Sequence, residues 1–172
     1  MKDVLIVVDM QNDFIDGSLG SKEAEQIVDN VKEKINAYLK AGKRVIFTKD
    51  THPENYLETY EGKHLPVTHC VKGTDGWKIS DVLPYDETLC SVVEKGTFGY
   101  LGWDVLLSDA ADLEICGLCT DICVISNALI LRANYPEKDI LVDAACCAGV
   151  TPDLHKAALQ VMASNQIEVI NA

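Results

Sequence analysis

The sequence predicts an α/β fold, a three-layer sandwich around a six-stranded, mostly parallel sheet in the order 3-2-1-4-5-6. Three observations carry this. Short β-branched and leucine-rich runs recur as continuous apolar blocks rather than as alternating ones, which marks strands covered on both faces. Between them lie segments whose apolar residues recur at spacings of three and four, the stripe of an amphipathic helix. The two patterns alternate along the chain, as they do when crossover helices connect parallel strands.

The first strand is Val4 to Val8, ended by Asp9 and a polar, glycine-punctuated stretch from Gln11 to Gly20. Ala24, Ile27, Val28, Val31, Ile35, Tyr38 and Leu39 then place a helix from about Ser21 to Ala41, and Gly42 stops it. Arg44 to Thr48 reads as the second strand and Thr88 to Val93 as the third. Between them runs a long irregular segment, Asp50 to Asp86, with Pro53, Pro66 and Pro84 and three of the four histidines. A loop of that length inside a compact domain is functional or disordered, and its histidines favour function. There follow Leu113 to Cys116 as strand, Thr120 to Arg132 as helix, Ile140 to Asp143 as strand, Asp153 to Ala163 as helix and Ile167 to Ile170 as the last strand. Residues 1–172 are expected to form one domain.

Composition narrows the partners. Fifteen basic side chains stand against 27 acidic ones, a formal charge of −12, so there is no basic footprint for nucleic acid or anionic membrane surfaces. The expected partner is a small molecule. Val4 to Val8 is too short for a signal-peptide core, and no apolar run is long enough to span a bilayer. The seven cysteines are therefore expected as reduced thiols in a cytoplasm.

In parallel sheets of this kind ligands bind at the carboxyl ends of the strands, near the point where strand order reverses. Asp9 follows the first strand, Asp50 the second, Lys95 the third and the Gly117 to Cys123 turn the fourth, so four reactive groups fall on one edge. In the predicted order the first and fourth strands are neighbours, which brings Asp9 close to Cys123. Cys123 lies in the first turn of the expected helix, where unpaired N–H groups and the helix dipole lower a thiol pKa and can hold an oxyanion. A nucleophilic thiol also needs a base and gains from a nearby cation, the parts Asp9 and Lys95 fit. Taken singly, each is an ordinary residue: a turn aspartate, a surface lysine, a buried cysteine. Cys116, inside a strand, is read as packing. The spacing Cys116, Cys119, Cys123 also suits metal ligation, but Cys146 and Cys147 are badly placed to complete such a site. Asp50 and His52, two apart on an extended segment, point the same way, and with His69 they form a carboxylate and two-imidazole ligand set for a metal with open positions. His64 and His155 are read as ordinary surface histidines.

Val8-Asp9-Met10-Gln11-Asn12-Asp13-Phe14, Asp50-x-His52, His69-Cys70, Lys95-Gly96 and Gly117-x-x-Thr120-Asp121-x-Cys123-Val124 together resemble the isochorismatase-like cysteine hydrolases, in their nicotinamidase branch. The resemblance runs from the first strand to the last. It implies that Cys123 attacks an amide carbonyl to form a thioester, that Asp9 relays the proton to leaving ammonia, and that Lys95 stabilises the ion pair. It implies an oxyanion hole from the backbone N–H groups of Cys119 and Cys123, set by a cis peptide joining Leu118 to Cys119. Phe14 would line the pocket. Asp50, His52 and His69 would hold one divalent metal, zinc with iron or manganese as alternatives, that binds the pyridine nitrogen; the fourth ligand is water, Glu58, Glu61 or His64. Pro66 stands where nicotinamidases often carry a ring-packing tryptophan, which leaves Phe98, Tyr100 or Trp77 to supply aromatic surface.

The implied activity is hydrolysis of nicotinamide to nicotinate and ammonia, a step of NAD salvage, by a homo-oligomer. The alternatives are a metal-free family hydrolase acting on another small amide, ureido acid or vinyl ether, and a non-catalytic binding subunit of the same fold.

Overall fold

The computed structural model describes residues 2–109 and 112–172. Its elements run β1 (Val4–Val8), α1 (Asn12–Ile15), α2 (Lys22–Lys40), β2 (Arg44–Asp50), α3 (Tyr60–His64), β3 (Ser91–Lys95), α4 (Trp103–Leu106), β4 (Leu113–Leu118), α5 (Ile125–Asn134), β5 (Ile140–Ala148), α6 (Pro152–Ser164) and β6 (Glu168–Ile170). The six strands form one sheet in the order β3-β2-β1-β4-β5-β6, and every pairing is parallel. β1 is buried along its whole length, as the unbroken Val4 to Val8 run requires of a central strand. α2 packs on β2, β4 and β5, while α5 and α6 pack on each other and on β5; the right-handed crossover rule puts the two groups on opposite faces of the sheet.

Two helix starts were written into the sequence. The Ser21 hydroxyl accepts the Ala24 N–H and the Thr151 hydroxyl accepts the Leu154 N–H, with Pro152 opening α6. Gly42, at φ 66°, reverses the chain after α2.

Three boundaries differ from expectation. The third strand is Ser91–Lys95 rather than Thr88 to Val93, because Asp86 folds Thr88 into a turn through both its backbone N–H and its hydroxyl. Lys95 is thereby the last residue of a strand instead of a loop residue. The fifth strand continues to Ala148, where Cys147 and Ala148 pair with Gly117 and Leu118 beyond an irregularity in β4. The helix expected from Thr120 starts as a π-helical turn, Thr120–Val124, and becomes α-helical only at Ile125.

A buried polar network lies beneath α2. Lys34 bridges Glu114 on β4 and Asp143 on β5, the latter at 2.8 Å, and the Tyr38 hydroxyl donates to Glu114 at 2.5 Å. Asn171 donates to Asp143 at 2.9 Å, tying the last residues to the sheet. Burial opposes the Asp143 charge, but Lys34 and Asn171 outweigh it and hold its carboxyl below the usual range. Its contribution to stability is therefore complete above about pH 4 and drains away as pH falls through the lowered folded-state value. Lys34→Met strands two buried carboxylates and is expected to cost about 3 kcal/mol in urea unfolding at pH 7, with a smaller deficit at pH 3, where Asp143 without its lysine takes up a proton.

Candidate active site

Sheet register builds the site. Asp50 of β2 pairs with Lys95 of β3, and Val8 of β1 pairs with Gly117 of β4, so the carboxyl ends of four adjacent strands deliver their next residues to one crevice. The Lys95 ammonium lies 2.6 Å from Asp9 Oδ2, 3.5 Å from Cys123 Sγ and 3.7 Å from Asp50 Oδ1. Asp9, Lys95 and Cys123 are all buried. Asp9 takes a left-handed backbone, φ 47°, which aspartate tolerates better than most side chains and which turns it off the end of β1.

Burial works against the Lys95 charge, but the attraction of Asp9, Cys123 and Asp50 prevails and its pKa is raised. Burial raises Asp9, with Lys95 opposing. For Cys123, burial and then Asp9 push the thiol well up, and Lys95 only moderates this. The lowered thiol pKa expected from a helix start is not what the geometry yields: a cation already neutralised by two carboxylates has little field left for sulfur. Cys123 is thus held as a thiol beside the Asp9 carboxyl.

Thr48 fixes the Asp9 carboxyl. Its hydroxyl oxygen accepts the Asp9 N–H at 3.2 Å and its hydroxyl donates to Asp9 Oδ1 at 2.5 Å. A hydroxyl has one proton, so Oδ1 is committed as an acceptor and Oδ2 is the oxygen that faces the Lys95 ammonium. Gln11 does comparable work on the next strand: its side-chain carbonyl accepts the Asp50 N–H at 2.7 Å, and its amide donates to the carbonyls of Asp50 and Trp77, each at 2.9 Å.

The turn that carries Cys123 depends on Gly117. At φ 115° it faces Val8, whose carbonyl oxygen would lie 2.1 Å from any added Cβ. The Leu118–Cys119 peptide that follows is cis, as expected. The Cys119 carbonyl then accepts the N–H groups of Ile122 and Val124, the two neighbours of Cys123, which closes the π-helical turn. Asn127, fully buried, donates to the Cys123 carbonyl at 2.8 Å and accepts from the Tyr100 N–H and the Trp103 indole.

Beside this triad Asp50, His52, Glu61 and His69 offer one ligand atom each, all within 4.8 Å of one another. His52 Nε2 is 2.9 Å from Asp50 Oδ2, while His69 Nδ1 meets the Val67 carbonyl at 2.8 Å and so turns Nε2 toward the group. Two imidazoles and two carboxylates at this separation fit a divalent ion. Of the four candidates for the remaining ligand, α3 brings Glu61 into the group. Tyr56 packs edge-on against both imidazoles, with centroids at 4.7 and 4.9 Å, and Phe14 against His69 at 5.5 Å.

Other residues lie elsewhere. Trp77 sits under the Lys49 ammonium and donates to Thr51, and Tyr100 packs on Trp103. Asp121, in the motif that carries Cys123, accepts the Val150 N–H. His155, read as a surface residue, meets the buried Thr120 hydroxyl at 2.8 Å. Thr48, Gln11, Tyr56 and Asn127 were missed. Thr48 and Gln11 have the right placement in sequence, at a strand end and two residues past Asp9, but hydrogen-bond partners that distant leave no periodic trace. All seven cysteines are free thiols, and no helix among the described residues is long and apolar enough to cross a membrane.

The isochorismatase domain profile matches residues 3–172. The nicotinamidase/pyrazinamidase of Mycobacterium tuberculosis is 28% identical over 96% of this chain and 97% of its own. Among solved structures, the zinc complex of Pyrococcus horikoshii pyrazinamidase superposes with a TM-score of 0.86 at 26% identity, covering all of both chains. The nicotinamidase/pyrazinamidase of Bacillus subtilis gives 0.86 at 27%, over 98% of this chain and 99% of that one.

Thr48→Val leaves the Asp9 N–H and Oδ1 buried without their partner and is expected to cost about 2 kcal/mol in urea unfolding. Thr48→Ser restores the hydroxyl and should recover most of the loss.

Proposed function

Because this chain belongs to the isochorismatase family, we propose that it is a cysteine amidohydrolase that converts nicotinamide and water to nicotinate and ammonia. The observation that carries this reading is the bridge at Lys95: one ammonium contacts both the Asp9 and Cys123 pair and Asp50 of the four-ligand group. A metal-free family hydrolase has no use for that second group, and a binding subunit has no use for a buried acid, cation and thiol in contact.

In the proposed mechanism the Cys123 thiol passes its proton to Asp9 as sulfur attacks the carboxamide carbon. Negative charge moves to the carbonyl oxygen, where the backbone N–H groups of Cys119 and Cys123 receive it. Asp9 then protonates the departing nitrogen, ammonia leaves, and a thioester remains. Water attacks the thioester, yields its proton to Asp9, and the proton returns to sulfur as nicotinate departs. Lys95 stays protonated throughout and offsets the charge on the Asp9 and Cys123 pair. A divalent ion held by Asp50, His52, Glu61 and His69 supplies a Lewis-acid point for the pyridine nitrogen. Zinc suits this donor set, with iron and manganese alternatives. Phe14, half-buried on the flank of His69, provides aromatic surface for the ring in place of Phe98, Tyr100 or Trp77, with Tyr56 buried against both imidazoles.

This activity places the chain in NAD salvage, and its free thiols fit a reducing compartment, the cytoplasm. We expect a homo-oligomer.

Ammonia release from nicotinamide by zinc-loaded protein tests the reading, and Cys123→Ala should lower kcat by at least about a thousandfold. Release from neither nicotinamide nor pyrazinamide would sink the substrate assignment. Chelation should raise KM, with zinc restoring it; activity indifferent to chelation would favour the metal-free alternative. Glu61→Ala should loosen metal retention by about 10- to 100-fold without changing Cys123 alkylation.

A further inference from the structure

The nucleophile turn is gripped from outside the crevice by the start of α6. Thr120 begins the π-helical turn, directly after the cis peptide, and is fully buried. Its hydroxyl meets His155 Nδ1 at 2.8 Å. The next residue, Asp121, accepts the Val150 N–H at 2.9 Å, so two successive side chains of the turn are pinned to the segment leading into α6. Gly149 permits the approach: a Cβ there would lie 2.7 Å from Asp121 Oδ1 and 2.9 Å from the His155 Cβ and backbone nitrogen.

We propose that His155 is a positioning residue for Cys123, acting as the acceptor that fixes the Thr120 hydroxyl and, through it, the turn between Cys119 and Cys123. The proposal rests on the reading of Cys123 as nucleophile. The charged groups facing the imidazole are Asp121 on the turn and Lys156 on its own helix. Burial lowers the proton affinity of His155, Asp121 opposes and Lys156 assists, with a net lowering that keeps the ring neutral near pH 7. In the neutral ring with its proton on Nε2, Nδ1 accepts and the Thr120 hydroxyl donates. Without that acceptor a buried hydroxyl loses its partner at the residue on which the turn begins, and the Cys119 carbonyl, which holds the N–H groups on either side of Cys123, is free to shift.

The test compares wild type, His155→Leu and His155→Gln, all zinc-loaded, by nicotinamide hydrolysis and by iodoacetamide alkylation of Cys123, which needs no substrate recognition. Leucine should lower kcat and the alkylation rate about tenfold with KM nearly unchanged. Glutamine, a neutral acceptor of similar reach, should recover most of both. Thr120→Val should reproduce the leucine effect, and adding His155→Leu to it should produce no further loss, since both remove the same bond. Leucine indistinguishable from wild type in both assays overturns the proposal, as does glutamine impaired as deeply as leucine, or additive losses in the double variant. Should wild type release no ammonia while leucine still slows alkylation tenfold and glutamine restores it, the substrate assignment fails and the role of His155 stands.

Discussion

The site depends on one buried ammonium shared among three acidic partners. Lys95 is enclosed at the end of β3, and a cation there is tolerated only because Asp9, Asp50 and the Cys123 thiol surround it. The constraint works in both directions. Asp9 and Asp50 sit on adjacent strands, fully enclosed and almost so, and without Lys95 they would repel each other across a low-dielectric gap. The lysine makes it possible for two carboxylates with different work to occupy neighbouring positions on one sheet edge.

The rest of the site is the means by which that contact is held. Thr48 commits one oxygen of Asp9, Gln11 grips the backbone of Asp50, and Asn127 grips the backbone of Cys123. None of these three reaches the ammonium. Each removes a freedom that the charged groups would otherwise use to relax, which is how the Cys123 thiol and the Asp9 carboxyl keep their positions around one ammonium.

The sheet was legible from the chain because burial on both faces writes a continuous apolar run, and Val4 to Val8 or Ile140 to Val142 carry nothing else. Asp9, Lys95, Cys123, Asp50, His52 and His69 were legible because the order of the strands puts their termini on one edge, and because the motif series resembled a known family. Glu61 was only one of several candidates, since its selection depends on the short helix Tyr60–His64, whose polar sequence has no hydrophobic period. Thr48, Gln11 and Tyr56 went unread for a different reason: each acts through a partner more than ten residues away, and a single sequence does not record such pairings. His155 was misread because a histidine beside a lysine near a helix start looks solvated. Its partner Thr120 lies on another element, behind the turn rather than in front of it.

The Gln11 clamp separates two properties that coordination sites usually entangle. It holds Asp50 by the peptide groups on either side of its Cα, through Oε1 and Nε2, and touches nothing of the carboxylate. The location of the strand end is thus indifferent to which side chain stands there. In the proposed function, divergence at position 50 can then alter ion preference while Cys123 keeps its place, so the fold is free to explore new metals without rebuilding the rest of the crevice.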